Sequence, residues 1–323
     1  MNQLDNLKKF SKISADTGDV DLIRTYQIQH ATTNPSLILK SPLFTTYLKL
    51  FNDAIDYAQK IGGNQNTKIT NASDRLIVNI GSEILANISG YISTEIDAQL
   101  SFNTDLTIKK AHKLITMYQK KNIDTSRVLI KIAATWEGIQ AAEELEKSGI
   151  KCNLTLVFSF AQARACAERN IYLISPFIGR IYDWYNQRNL IKTSYINDDP
   201  GIQSIKKIYH YYKTYGYNTI IMGASFRRLE QILALSGCDY LTISPHFLKQ
   251  LYQNTNSVTR QLFPPKTIIS HHIPVLDQSE FFQEHNKNQM AVEKLNEGIQ
   301  QFSIDQQKLH KLLLNNLNVQ LQK

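Results

Sequence analysis

Residues 127–136 read RVLIKIAATW, and the fold turns on this run. In an extended strand alternate side chains face opposite ways. Val128, Ile130 and Ile132 then share one face, while Leu129, Lys131 and Ala133 share the other. Apolar residues on both faces mark a strand covered on both sides, as in a parallel sheet layered with helices. A lone strand lysine more often sits at a solvent-facing edge, but here the flanking residues place Lys131 inside. Withdrawing an ammonium from water is costly, so a buried lysine is paired or functional. Burial disfavours the charged form, and a neutral amine is the form that condenses with carbonyls.

Outward from this strand, short apolar runs alternate with longer amphipathic segments. Eight strands are expected: Lys12–Asp16, Ala31–Asn34, Tyr91–Asp97, Val128–Ala133, Asn153–Phe158, Tyr172–Phe177, Thr219–Ser225 and Tyr240–Ser244. Helical patterns between them include Ser41–Ile61, Asp105–Lys121, Glu137–Ser148, Ala161–Glu168 and Ile202–Tyr215. Ser41 followed by Pro42 reads as an N-cap with proline at the first helical position. Eight alternations predict an α/β chain folded as a (β/α)8 barrel. Further helices are expected at Gln278–Gln300 and Asp305–Leu317, after an irregular connection over Asn254–Pro274. The expectation is one barrel domain over residues 1–323, with C-terminal helices at about 278–317 packed on it.

In the third strand Ile92, Thr94 and Ile96 oppose Ser93, Glu95 and Asp97; in the fifth, Leu154, Leu156 and Phe158 oppose Asn153, Thr155 and Val157. The more polar face of each should look into the barrel, towards the mouth where barrel active sites lie. Asp16, Glu95 and Thr155 would then join Lys131 from different strands, and imine chemistry needs such proton-moving groups. Each has a plain alternative: Asp16 could start a turn with Gly18, Glu95 could pair with a surface lysine, and Thr155 could reflect β-propensity. Asn34, before Pro35, could cap a helix, bind a ligand, or do both. Ser175 and Phe177 in LISPFIGR, which ends at Arg180, and Ser225 and Arg227 in MGASFRR supply hydroxyls and guanidinium forks suited to phosphate. Barrels often hold phosphate near strands seven and eight.

Composition narrows the remaining classes. Lysine and arginine total 36 against 28 acids, a formal charge of +8. The basic residues are scattered doublets such as Lys109-Lys110 and Lys206-Lys207, without the basic arm nucleic-acid binding would want. Attraction of phosphorylated metabolites fits better. No apolar run approaches the roughly 20 residues of a membrane span, and MNQLDNLKKF lacks a secretory h-region. Cys152, Cys166 and Cys238 form no CxxC pair, and the doublet His271-His272 is weak as a metal motif. The expectation is a cytoplasmic protein with reduced thiols, no metal, and no nucleic-acid or membrane partner.

From about Lys12 to Leu317 the chain closely resembles the transaldolase family in its long form. The motifs are ADTGD (15–19), HATTNPSLI (30–38), ISTEIDA (92–98), LIKIAATWEGI (129–139), CNLTLVFSFAQARACAE (152–168), LISPFIGRIYDWY (173–185), DPG (199–201) and MGASFR (222–227). The resemblance implies that Lys131 forms a Schiff base with a ketose C2 carbonyl and that Asp16 takes the C4 hydroxyl proton. It implies a proton relay by Glu95 and Thr155 through an ordered water. Asn34, Asn153 and Ser175 match positions that hold the dihydroxyacetone unit, and Arg180, Ser225 and Arg227 match a phosphate site. The implied reaction transfers dihydroxyacetone from sedoheptulose 7-phosphate to glyceraldehyde 3-phosphate, without a cofactor, and a homodimer is implied by analogy. Shorter relatives that release dihydroxyacetone, the fructose-6-phosphate aldolases, resemble the family with tyrosine and glutamine where this chain has Phe177 and Glu95. That aldolase is one alternative; an inactive barrel kept for binding is another. Gln99 stands where arginine is usual, Ala134 where serine is common and Glu137 where glutamine is common, and the PPKTIISHHIPVLDQ stretch departs from the usual wording.

Overall fold

In the computed structural model, residues 1–40, 47–269 and 274–320 are described. The expected cap at Ser41-Pro42 and the doublet His271-His272 lie outside them. Eight parallel strands close into a barrel in sequence order. They are β1 Lys12–Asp16, β2 His30–Thr32, β3 Ile92–Glu95, β4 Val128–Ala133, β5 Cys152–Val157, β6 Leu173–Pro176, β7 Ile220–Gly223 and β8 Tyr240–Ile243. β1 pairs with both β2 and β8, which closes the cylinder. The fold is therefore the expected (β/α)8 barrel with additional C-terminal helices. β1 and β4 have the expected bounds, β5 is displaced by one residue, and the other strands run shorter than the sequence suggests.

The helices, in order, are α1 Gln3–Leu7, α2 Val20–Thr25, α3 Pro35–Lys40, α4 Leu48–Ile61, α5 Gln65–Leu85, α6 Thr104–Gln119, α7 Trp136–Lys147, α8 Phe160–Glu168, α9 Ile178–Gln187, α10 Pro200–Thr214, α11 Leu229–Leu233, α12 Pro245–Gln253, α13 Gln278–Asn286 and α14 Gln289–Gln320. Short polar residues start many of them. The Thr135 side chain caps α7 immediately after β4, and Ser159 with Gln162 forms a capping box that opens α8. After β4 and β5 such caps stop the strand abruptly and turn the chain outward, leaving the strand's last side chains at the barrel mouth.

Two expectations are corrected. The C-terminal segment does not break near residue 302. One helix runs through Gln289–Gln320, and the break falls earlier, where Asn288 accepts from the Ala291 amide and starts a new helix. Nothing in the QFSI stretch at 301–304 stops a helix, since it holds neither proline nor glycine. The second correction concerns β5. Leu156 has a φ of 57°, and pairing with β6 shifts register between Thr155 and Val157. A left-handed leucine is a backbone outlier, and here it forms a bulge that swaps the faces beyond it. Val157 joins the core under the helices, whereas Leu156 and Phe158 pack with Phe177, Ile299 and Phe302 towards α14.

The remaining alternation holds. Val128, Ile130 and Ile132 point into the helix layer, and Thr94 bonds the Tyr118 hydroxyl of α6 at 2.7 Å. Inside the barrel, Leu129, Leu173, Met222 and Tyr240 form an apolar floor. Two residues further along these strands come Lys131, Ser175, Ala224 and Thr242, all lining a cavity. Apolar floor and largely polar ceiling follow from the two-residue period of each strand.

Candidate active site

Lys131 is 5% exposed and Glu95 7%. Their Cα atoms are register partners across β3 and β4, so the sheet itself sets the two side chains together. Lys131 Nζ lies 3.6 Å from Glu95 Oε2. The Glu95 carboxyl is pushed up to about 7, chiefly by burial; the Lys131 charge opposes this and the Asp16 charge adds to it. Glu95 Oε2 and Thr155 Oγ1 are both buried and make no hydrogen bond among the described residues. Groups in that condition are frequent at reactive centres.

Neighbouring strands add an ordered polar ring. Asn153 donates to Ser93 Oγ at 3.0 Å and accepts from Ser175 Oγ at 2.7 Å, so its amide is held from both sides. Across the barrel, Thr32 donates to Asp16 Oδ1 at 3.0 Å and meets Thr242 Oγ1 at 2.9 Å. Asp16, Lys131, Thr155 and Ser175 line one cavity of about 460 Å³ at the C-terminal ends of the strands. Asn34 lines it too, and its Oδ1 accepts from the Leu37 amide at 2.9 Å. The helix-capping reading of Asn34 is thus correct, and it leaves the side chain at the cavity.

Part of the cavity lining is cationic. Arg180, Ser225 and Arg227 line it with Phe177. Arg180 lies over the Phe177 and Phe302 rings, 5.0 and 5.6 Å from their centroids, and has no ion pair among the described residues. Burial, then the nearby Arg227 cation, lowers its pKa, so an arriving anion would be welcome there. Arg227 is held differently. Asp183 accepts from its Nε at 2.8 Å and stands 2.7 Å from its Nη2, while Nη1 points to Ser225 Oγ at 3.3 Å. Ser225 takes a left-handed φ of 61°, and the Gly179 amide donates to its carbonyl at 2.7 Å. A Cβ on Gly179 would sit 2.1 Å from that oxygen, so the close approach of α9 to β7 requires glycine.

All eleven residues singled out in the sequence converge here, with Glu95 and Asn153 behind the cavity wall rather than on it. Thr32, Thr242, Phe247, Gln301, Phe302, Asp305 and Lys308 also line the cavity and were not anticipated. One signal was available: Asp305 falls on the same α14 stripe as Phe302 and Leu309, an acid where the helix otherwise buries apolar residues. Gln99, the departure noted near Glu95, is exposed, and its amide donates to Asp97 Oδ1.

Comparison with known proteins agrees with this geometry. Residues 13–313 match the model of the family described as Transaldolase/Fructose-6-phosphate aldolase. A transaldolase of Baumannia cicadellinicola subsp. Homalodisca coagulata is 58% identical over 318 residues, covering 98% of this chain and all of that one. Transaldolase of Sodalis glossinidius is 57% identical and transaldolase A of Escherichia coli K12 53%, each over 97% of this chain and 99% of the relative. The chain belongs to the transaldolase/fructose-6-phosphate aldolase family.

Proposed function

We propose that this chain is a transaldolase acting as one barrel domain, with Lys131 as its Schiff-base lysine. The observation that carries the reading is the buried Lys131 nitrogen, 3.6 Å from the Glu95 carboxylate, in a cavity also lined by Arg180, Ser225 and Arg227. An amine and a guanidinium pair in one cavity suit a sugar that carries both a carbonyl and a phosphate. The Lys131 nitrogen adds to the ketose C2, and loss of water gives an iminium. Glu95 and Thr155 move the protons, and a carboxyl at about 7 can both give and take one near neutrality. Asp16 accepts the C4 hydroxyl proton, the C3–C4 bond breaks, and its electron pair is delocalised into the iminium as an enamine. The aldehyde product leaves. The enamine carbon then attacks an acceptor aldehyde, Asp16 returns its proton to the new hydroxyl, and water releases the ketose.

Asn34, Asn153 and Ser175 hold the dihydroxyacetone hydroxyls in this reading, and Phe177 supplies an apolar wall. The named relatives are transaldolases, which favours sedoheptulose 7-phosphate and glyceraldehyde 3-phosphate as substrates. A cytoplasmic homodimer is proposed on the same analogy. Among the described residues no helix is long and apolar enough to cross a membrane.

The test is borohydride reduction in the presence of fructose 6-phosphate, read by intact mass. A three-carbon adduct is expected on the wild type and none on Lys131→Met; a wild type without adduct overturns the proposal. Omitting the acceptor aldehyde should leave only slow cleavage, whereas rapid release of dihydroxyacetone would favour a fructose-6-phosphate aldolase.

A further inference from the structure

The long helix α14 crosses the cavity mouth and lends it Gln301, Phe302, Asp305 and Lys308. The Phe302 ring centroid lies 5.8 Å from Lys131 Nζ, so this helix lays apolar surface over the reacting amine. Asp305 is one turn further on and is buried, a costly place for a carboxylate unless donors surround it. Three do. Lys308 Nζ at 3.0 Å and Gln301 Nε2 at 3.2 Å belong to the same helix, while the third, Ser36 Oγ, belongs to α3. These bonds hold the Asp305 carboxyl below its ordinary value despite burial. Of these three bonds, the one from Ser36 ties α14 to α3, two residues from Asn34 at the cavity.

We propose that Asp305 is a positioning residue that decides the fate of the three-carbon intermediate, by latching α14 to α3 through Ser36 and so keeping Phe302 over Lys131. This rests on the transaldolase reading. The enamine on Lys131 has two exits. Its nucleophilic carbon can form a bond to the acceptor's carbonyl carbon. Alternatively that carbon takes a proton, water adds to the resulting iminium at C2, and the carbinolamine collapses to dihydroxyacetone and free amine. Both exits end with water adding at C2, but only the second begins with a proton delivered to the enamine carbon, and Phe302, 5.8 Å from Lys131 Nζ, shields the intermediate from the bulk water that supplies that proton. Closing a reactive intermediate away from water is a general means of controlling such partition. The latch therefore favours transfer over release without touching the reacting atoms.

The experiment compares Asp305→Ala, Ser36→Ala and the double variant with the wild type. Dihydroxyacetone release is measured from fructose 6-phosphate alone, and transfer is measured with erythrose 4-phosphate as donor-pair partner. Each single variant should raise the ratio of release to transfer about tenfold, the scale on which losing one hydrogen bond to a charged group shifts an equilibrium. The double variant should do no more than either single, because both remove the same bond. Ser36→Thr, which keeps the hydroxyl, should stay near the wild-type ratio. Gln306, bonded to Ser73 of α5 at 2.8 Å, and the buried Leu309 and Leu313 still dock α14 in all of these. Should Asp305→Ala nevertheless fail to fold, Ser36→Ala loses a single oxygen and carries the test alone. Release and transfer falling together at an unchanged ratio would overturn the latch, as would a double variant showing the full product of both effects. Borohydride trapping of the same wild-type preparation separates the two claims: an adduct with unmoved ratios removes the latch only, and no adduct removes the transaldolase reading beneath it.

Discussion

Replacing Glu95 by glutamine should make the protein more stable above neutral pH while impairing its chemistry. Glu95 is 7% exposed, and its carboxyl rises from an ordinary 4.5 to about 7 in the folded chain. Between those two values the folded protein keeps a proton that the unfolded chain releases. Stability therefore falls as pH rises through this window, by about 1.4 kcal/mol per unit, and roughly 3 kcal/mol is lost once pH passes 7. Below about 4.5 both states are protonated and the penalty vanishes. Glutamine carries no such proton, so Glu95→Gln should flatten this part of the profile. The value of about 7 already includes the opposing attraction of Lys131, 3.6 Å away, so the net gain expected at pH 8 is about 2–3 kcal/mol. With an unfolding entropy of about 2 cal/mol/K per residue, a gain of ~2 kcal/mol raises the melting temperature by about 3 °C. Thermal unfolding followed by circular dichroism from pH 5 to 8.5 measures it. A variant less stable than wild type at pH 8 would mean that pairing with Lys131 outweighs burial, and the reasoning would fail. In kinetics, the limb of the pH–rate profile near 7 should disappear in the same variant.

Other substitutions probe the phosphate side and its scaffold. Asp183→Asn removes the charge that holds two nitrogens of Arg227. That pair is partly exposed and contributes little to stability, so the expected effect is a KM for phosphorylated substrates raised about fivefold at nearly unchanged kcat. Steady-state kinetics checks this, and a fall in kcat at constant KM would contradict it. Gly179→Ala drives a methyl group to 2.1 Å from the Ser225 carbonyl oxygen, so a melting temperature lower by several degrees and weaker phosphate inhibition are expected. Gln99→Arg restores the residue usual in the family at an exposed site and should leave transfer rates within about twofold; a larger change would assign position 99 a part in the reaction.

The eight strands could be read because both faces of each are covered, which makes runs such as VLIKIA at 128–133 stand out against amphipathic helices. Lys131, Glu95, Asn153 and Thr155 followed from two-residue alternation, since regular pairing carries that pattern faithfully into the barrel. Alternation failed at Leu156, where one residue in a left-handed conformation shifts the register and sends Leu156 and Phe158 towards α14 instead of the helix layer. No residue type announces that bulge. Asp305 and Phe302 were hidden for another reason. They reach the cavity from a helix more than a hundred residues beyond Lys131, and amphipathic periodicity reports that a face is buried without saying against what. The continuous α14 was read as two helices because an apolar stripe that turns gradually around a long helix resembles two shorter patterns.

The hydrogen bond between Thr32 of β2 and Thr242 of β8, residues 210 apart in sequence, links the two strands that flank β1, and Asp16 of β1 accepts from the same threonine. A chain that has built most of its sheet but not yet brought its last strand home would lack Thr242, and the Thr32 hydroxyl that holds Asp16, the base of the proposed mechanism, would lose its own partner. On the proposed mechanism catalytic competence would then arrive late in folding, and turnover would register completion of the cylinder more sharply than a spectroscopic count of helix or strand.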